Sequence, residues 1–136
     1  MKNILLLLVL YSGVFSVSFA EEERVILALS SWDNQAGSTL HIESINDKGL
    51  MKGTYTNRAK GYGCQNIPYP MTGWLNGTAI TFTVKWQHPQ ESCGSLTAWT
   101  GFIKEGQIIT MWQIVNDATE AKESVFKGEA IFNKNQ

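Results

Sequence analysis

The fold is decided by a hairpin in the middle of the chain, where residues 72–87 read TGWLNGTAITFTVKWQ. Asn76-Gly77 is a strong signal for a tight turn between two antiparallel strands. After the turn, every second residue from Ile80 to Trp86 is apolar, and the residues between them are Thr or Lys. This alternation is typical of a strand with one apolar face. The stretch therefore predicts a β-hairpin whose second strand turns Trp86 toward a core.

The same period of strand and turn extends outward from this hairpin in both directions. Four tryptophans, Trp74, Trp86, Trp99 and Trp112, recur at intervals of 12 or 13 residues, which is one strand plus one tight turn. Nothing after the first twenty residues has a sustained helical period. Strands are predicted near 28–34, 38–45, 49–57, 67–76, 78–87, 95–104, 106–115 and 125–133. Short antiparallel strands joined in order indicate an all-β, eight-stranded up-and-down barrel, wide enough for one small ligand.

The N-terminus has the pattern of a secretory signal peptide. Lys2 precedes the apolar run 4–10, and small residues at 18 and 20 are followed by three glutamates at 21–23. The alternative, a membrane anchor, would need a longer apolar run and a basic flank. We therefore predict a signal peptide at 1–20, a single barrel domain at 21–136, and a secreted or periplasmic protein without membrane contact after cleavage.

Charge and cysteine content exclude several classes of function. The chain has 11 Lys and Arg against 12 Asp and Glu, so loss of Lys2 leaves 10 against 12 and a net charge of −2. No basic stripe is present for nucleic acid. Export would place Cys64 and Cys93 in an oxidising compartment, which favours a disulfide over a metal or redox site. A disulfide that closes a loop of about 30 residues raises the free energy of unfolding by roughly 3–4 kcal/mol, because it restricts the unfolded chain.

Strands six and seven are apolar on both faces. One side of strand seven has Trp112, while Ile109, Met111 and Val115 occupy the opposite register. An apolar face on the outside of a barrel indicates a protein partner. We predict a homo-oligomer that packs through the outer faces of strands six and seven.

Neutral polar groups, rather than catalytic ones, accumulate on the inward register. No metalloprotease motif, phosphate-binding loop or Ser-His-Asp order occurs, and His41 and His88 lie in different settings. Hydroxyls and amides beside indole rings suit a neutral ligand with a polar head. A lipocalin-like barrel with an apolar ligand and a hydrolase with a carboxylate pair remain alternatives. The inward polar residues are Asn34, Ser38, Tyr55, Asn57, Ser95 and Thr97.

Four segments resemble, in order and spacing, the avidin and streptavidin family of biotin-binding proteins. They are residues 32–39 (WDNQAGST), 53–55 (GTY), 95–101 (SLTAWTG) and Trp112. The stretch 57–70 is similar to the dimeric, rhizavidin-type branch of that family. Streptavidin is itself the standard example of an eight-stranded barrel that holds one small ligand. The resemblance implies a protein that binds biotin tightly, without catalysis and without a cofactor.

Carried over residue by residue, the resemblance implies distinct roles for the polar groups. Three donors would converge on the ureido oxygen of biotin, while other groups would accept from one ureido N–H, contact the ring sulfur and contact the valerate carboxylate. In that order, the residues are Asn34, Ser38 and Tyr55 for the oxygen, then Asn57, Thr97 and Ser95.

Trp86, Trp99 and Trp112 would form the walls around the ligand, whereas Trp74 falls on the outward register. Tetrameric members lend a tryptophan to a neighbouring subunit, and that position aligns with Lys122, which favours a homodimer with self-contained sites. Cys64 and Cys93 lie in loops at the expected mouth, where a disulfide would hold a lid in place.

One departure from the family concerns the acceptor for the second ureido N–H. Its position aligns with Ala130, two residues after Gly128, and alanine cannot accept. An unpaired buried N–H costs roughly 1–3 kcal/mol, so we expect weaker binding than in the strongest members. A biotin-like ligand other than biotin stays open as an alternative.

Overall fold

The computed structural model describes residues 28–117 and 124–136. The predicted signal peptide and Lys122 lie outside these ranges. The strands are β1 (Ser30–Asn34), β2 (Thr39–Ile45), β3 (Leu50–Thr56), β4 (Pro68–Asn76), β5 (Ala79–Lys85), β6 (Ser95–Lys104), β7 (Gln107–Asn116) and β8 (Val125–Lys134). Each pairs antiparallel with the next, and β8 returns to β1 to close the barrel. The predicted eight-stranded up-and-down barrel is confirmed. No helix in the described part of the chain is long and apolar enough to span a membrane.

Alternation along the strands separates a packed interior from the outer surface. Phe82, Val84 and Trp86 are buried, and the ring of Phe82 stacks on that of Trp99 with centroids 4.9 Å apart. Trp74 lies on the outside and is 51% exposed, as its register predicts. The hairpin that decided the fold thus has the faces expected from its sequence.

The turn of that hairpin differs in one detail. Asn76 is still paired with Ala79, so the two loop residues are Gly77 and Thr78 rather than Asn76 and Gly77. Gly77 has a φ of 59°, which is the left-handed conformation that glycine adopts without strain. Asn76 therefore remains extended, and the glycine alone provides the positive φ of the turn.

The connections differ in length between the two ends of the barrel. Three short ones, at 46–49, 77–78 and 105–106, lie at one end. The connections after β3, β5 and β7 are longer, and up-and-down topology places them at the other end, together with the four-residue connection 35–38 after β1. This second end is the mouth, where the cavity opens.

Candidate functional site

A cavity of about 790 Å³ lies inside the barrel at the mouth end. Polar side chains from β1, β3 and the loops that follow these strands line one side, the β1–β3 side. Tryptophans from β6, β7 and the loop after β5 line the other, the β5–β7 side. All nine residues assigned to the ligand contribute to its wall: Asn34, Ser38, Tyr55, Asn57, Trp86, Ser95, Thr97, Trp99 and Trp112.

The loop after β1 orients the amide of Asn34. Its Oδ1 accepts from the backbone N–H groups of Ala36 and Ser38, each at 3.0 Å. This leaves Nδ2 to point the other way, where it donates to the hydroxyl of Tyr55 at 3.2 Å. Backbone contacts thereby determine which end of the Asn34 amide serves as donor.

Tyr55 is the most perturbed titratable group of the cavity. Its side chain is only 4% exposed. Burial raises the pKa of Tyr55 to about 12, although hydrogen bonds with Ser38 and Asn34 act in the opposite direction. The phenol therefore stays protonated and able to donate over the physiological range. Asn34, Ser38 and Tyr55 thus bring three donor groups to one point on the cavity wall.

Asn57 links this polar wall to the loop between β3 and β4. Its Oδ1 accepts from the backbone N–H of Ala59 at 3.1 Å and from the Ser38 hydroxyl at 3.4 Å. Its Nδ2 donates to the carbonyl of Gly63 at 3.0 Å. Asn57 consequently presents its oxygen toward Ser38 and holds the loop with its nitrogen.

The opposite wall consists of indole rings held by packing and by single hydrogen bonds. Trp86 Nε1 donates to Thr97 Oγ1 at 2.8 Å, and the ring of Trp99 lies 4.6 Å from that of Tyr55. Trp112 is half-buried, and its Nε1 donates to the carbonyl of Glu129 at 3.3 Å. Aromatic faces near one another form an apolar slot for a flat ring system.

Gly128 is a residue whose local role the sequence analysis did not identify. A Cβ at this position would lie 2.5 Å from the indole ring of Trp112, closer than carbon atoms can approach. The ring therefore lies directly on the β8 backbone. A glycine opposite an inward tryptophan in the strand register is the signal that would reveal such a contact.

Other lining residues were also missed. Tyr62 lies in the loop after β3, is 44% exposed, and packs edge-on against Trp112 at 6.3 Å. Loop residues follow no period, so sequence alone could not place it. Ile114 and Phe126 also line the cavity and share the inward register of Trp112 and Gly128, so alternation could have identified them.

Cys64 and Cys93 form the predicted disulfide, which joins the loop after β3 to the loop after β5. The carboxylate of Glu91 reinforces this link by accepting from the Cys64 backbone N–H at 3.2 Å. Tyr69 donates to the Glu91 carbonyl at 2.8 Å, and burial and the Glu91 charge raise the pKa of Tyr69. Both loops therefore have several contacts that hold them beside the cavity.

Ala130 occupies the inward register of β8 and is 2% exposed. Its carbonyl accepts from Thr110 Oγ1 at 2.9 Å, and its methyl group packs in the core. The cavity wall in the described part of the chain includes the neighbouring Glu129 but not Ala130. The Glu129 side chain is itself exposed, so the missing acceptor is not replaced by a buried carboxylate from β8.

Comparisons with known proteins agree with this geometry. The sequence profile of the avidin family matches residues 22–135. Afifavidin of Afifella pfennigii is 37% identical over 108 residues, covering 76% of this chain and 67% of the relative. A biotin complex of a shwanavidin variant is 46% identical with a TM-score of 0.77, covering 81% of this chain and 97% of that one. The rhizavidin–biotin complex is 39% identical with a TM-score of 0.73, covering 81% and 94%. This chain belongs to the avidin family.

Proposed function

We propose that this protein captures biotin in the cavity of the barrel and catalyses no reaction. The observation that carries the proposal is the convergence of Asn34, Ser38 and Tyr55. The side chains of Asn34 and Ser38 both form hydrogen bonds with the Tyr55 hydroxyl. Three neutral donors around one position suit a strongly polarised carbonyl oxygen, such as that of a cyclic urea. A shwanavidin variant and rhizavidin, which have the same fold, have structures in complex with biotin.

The remaining lining groups support the same ligand. Trp86, Trp99 and Trp112 offer an apolar slot for a fused ring, and Thr97 and Ser95 lie on the same side of β6. A purely apolar ligand would displace water from these hydroxyls and amides without forming hydrogen bonds in return, which costs free energy. The polar wall therefore favours biotin over the lipocalin-like alternative.

Isothermal titration tests the proposal with two ligands, biotin and an analogue that lacks the ureido N–H groups. We expect tight binding of biotin, quenching of tryptophan emission, and a melting temperature that rises with ligand concentration. Equal affinities for the two ligands would point away from a ureido site. An aliphatic acid of similar length is the control for the lipocalin-like alternative.

We further propose a homodimer that packs through the outer faces of β6 and β7. Leu96 and Met111 are more than half exposed, and Phe102 and Val115 also project to the outside. Leu96 pairs with Val115, and Phe102 pairs with the half-buried Ile109, so the apolar groups form continuous rows across the strands. Contiguous exposed apolar surface of this kind is typical of a subunit interface.

Sedimentation velocity at micromolar concentration tests the dimer. The parent should sediment as a dimer, and Met111→Glu should shift it toward monomer because a charge would be buried at the interface. Trp74→Glu is the matched control, since Trp74 is equally exposed on β4 but outside the proposed interface. A monodisperse parent monomer would overturn the proposal.

Export to the periplasm or the medium is proposed from the N-terminal pattern of residues 1–20. Mass spectrometry of the protein recovered after expression in a bacterial host measures the mature N-terminus. We expect it at Glu21, and an intact Lys2 in the folded product would contradict cleavage.

A further inference from the structure

We infer that Gln35 is a positioning residue that aligns the donor loop and the Trp112 wall for the ligand. This inference rests on the proposed binding of biotin. Gln35 is exposed, follows the candidate donor Asn34 directly, and lines the cavity. No role follows for it from the chemistry of the ligand-binding groups described above, yet its side chain makes two well-formed hydrogen bonds.

Both bonds go to the backbone of β8. Gln35 Nε2 donates to the carbonyl of Glu129 at 2.8 Å, and the backbone N–H of Ile131 donates to Gln35 Oε1 at 3.0 Å. The two bonded groups belong to residues two apart on β8, the interval at which successive backbone groups face the same neighbouring strand. The side-chain amide therefore takes the place of a backbone peptide.

The backbone of β1 does not reach this part of β8, because β1 ends at Asn34 while β8 continues toward the mouth. The last β1–β8 pair joins Asn34 to Phe132, and the chain then turns away, with Gly37 N–H donating to the Asn34 carbonyl at 2.9 Å. Without Gln35, the Glu129 carbonyl and the Ile131 N–H would have no partner from β1. The Gln35 side chain thereby continues the hydrogen bonding between the β1 end and β8 beyond the last backbone pair, toward the mouth.

The same Glu129 carbonyl also accepts from Trp112 Nε1. One oxygen thus receives a donor from the loop beside Asn34 and a donor from the indole wall. Movement of the loop away from β8 would change the position of both. This shared acceptor connects the polar side of the cavity to the aromatic side through Gln35.

The loop is held on its other side by Arg58, which donates through Nη1 to the Gly37 carbonyl at 3.1 Å and to Thr39 Oγ1 at 2.7 Å. Gln35 and Arg58 therefore act as two clamps on a short loop. Of these two clamps, Gln35 is the one that joins the loop to β8 and Trp112.

The experiment compares Gln35→Met, which preserves length but removes both bonds, with Gln35→Glu, which keeps only the acceptor. Gln107→Met is the matched control, because Gln107 Nε2 bonds Asn133 Oδ1 at 2.8 Å near the opposite end of the barrel. The measurements are the biotin off-rate, the melting temperature without ligand, and hydrogen exchange of the Ile131 amide.

For Gln35→Met we expect a roughly tenfold faster off-rate, since two hydrogen bonds that align the site are lost. The Ile131 amide should exchange faster, and the melting temperature should resemble that of Gln107→Met. Gln35→Glu should fall between the parent and Gln35→Met in off-rate. Combined with Trp112→Phe, the effect of Gln35→Met should shrink, because both residues act through one carbonyl.

Ordinary surface substitutions change a free energy by up to about 0.5 kcal/mol, which is roughly a twofold change in rate. A biotin off-rate of Gln35→Met within about twofold of the parent would therefore overturn the positioning role. So would off-rates that rise equally in Gln35→Met and Gln107→Met. If the parent does not bind biotin, the proposed function fails instead. Ile131 exchange would still report whether Gln35 closes the barrel edge.

Discussion

The two sides of the cavity are built in different ways. On the β1–β3 side, Asn34, Ser38 and Asn57 are oriented mainly by hydrogen bonds from the backbone of adjacent loops. On the β5–β7 side, Trp86 and Trp99 are oriented mainly by other rings, namely Tyr69, Tyr55 and Phe82. The polar side is therefore part of the loop structure, while the aromatic side is part of the core.

This difference separates ligand affinity from barrel stability. A polar group that already has backbone partners can be changed without opening a hole in the core. A ring that packs against other rings cannot, because its removal leaves a cavity. Substitutions on the polar side should thus affect binding selectively, and substitutions on the aromatic side should affect both properties.

The largest effect is expected for Trp99→Ala. Trp99 is 4% exposed and stacks on Phe82, so its loss should lower the free energy of unfolding by about 3–5 kcal/mol and also weaken biotin binding. Urea unfolding without ligand and calorimetric titration measure the two effects. Trp74→Ala is the control, since removal of an exposed ring should change stability by only about 0.5 kcal/mol. Equal stability of the two variants would break the comparison.

Tyr55→Phe should separate the two properties on the polar side. It removes the hydroxyl that contacts Asn34 and Ser38 but keeps the ring that packs on Trp99. Biotin affinity should fall roughly 10- to 100-fold, the range for one buried hydrogen bond to a polarised group, while the melting temperature without ligand changes little. Tyr62→Phe, at the exposed mouth, should change neither. A stability loss as large as that of Trp99→Ala would mean that both sides depend on core packing.

Removing the disulfide tests whether fixed loops at the mouth slow the release of biotin. The Cys64→Ser and Cys93→Ser double variant should release biotin faster, by roughly tenfold, because the free loops must be ordered when the ligand is held. Stopped-flow displacement with excess biotin gives the off-rate, and calorimetry gives the stability. An off-rate equal to that of the parent would refute the role of the disulfide in holding a lid.

The pH dependence of biotin affinity should distinguish the polar side from the aromatic side. Because burial raises the pKa of Tyr55 to about 12, the contribution of its neutral phenol to the free energy of unfolding is complete below the ordinary tyrosine pKa of 10.0. That contribution is lost as the pH rises from 10.0 through about 12. Biotin affinity should therefore be flat from about pH 6 to 9 and fall above about pH 11, where the donor becomes an anion. The fall should be absent in Tyr55→Phe, and a fall already near neutral pH would contradict the neutral donor.

The sequence predicted the barrel because alternation and turn chemistry act over a few residues. Trp86 and Trp99 were placed inside, and Trp74 outside, by the period of their own strands. Gln35 was not recognised, because its partners Glu129 and Ile131 lie more than ninety residues away and meet it only when the barrel closes. Tyr62 was missed for a similar reason, since its contact with Trp112 depends on the path of an aperiodic loop. Periodic residues are therefore predictable, whereas contacts made across the closed sheet are not.

The smallest effect is expected for Ala130→Asp, which adds a carboxylate to the inward face of β8, the strand between β7 and β1. The new carboxylate could accept from a ligand N–H, which favours binding, but Ala130 is 2% exposed and a buried charge is costly. The two terms oppose each other, so the biotin off-rate should decrease only a few-fold, by less than the roughly 1–3 kcal/mol of a full buried hydrogen bond. Ala130→Ser is the control that adds a polar group without charge. An unchanged off-rate in Ala130→Asp would mean that this position does not reach the ligand and that β8 contributes through its backbone alone.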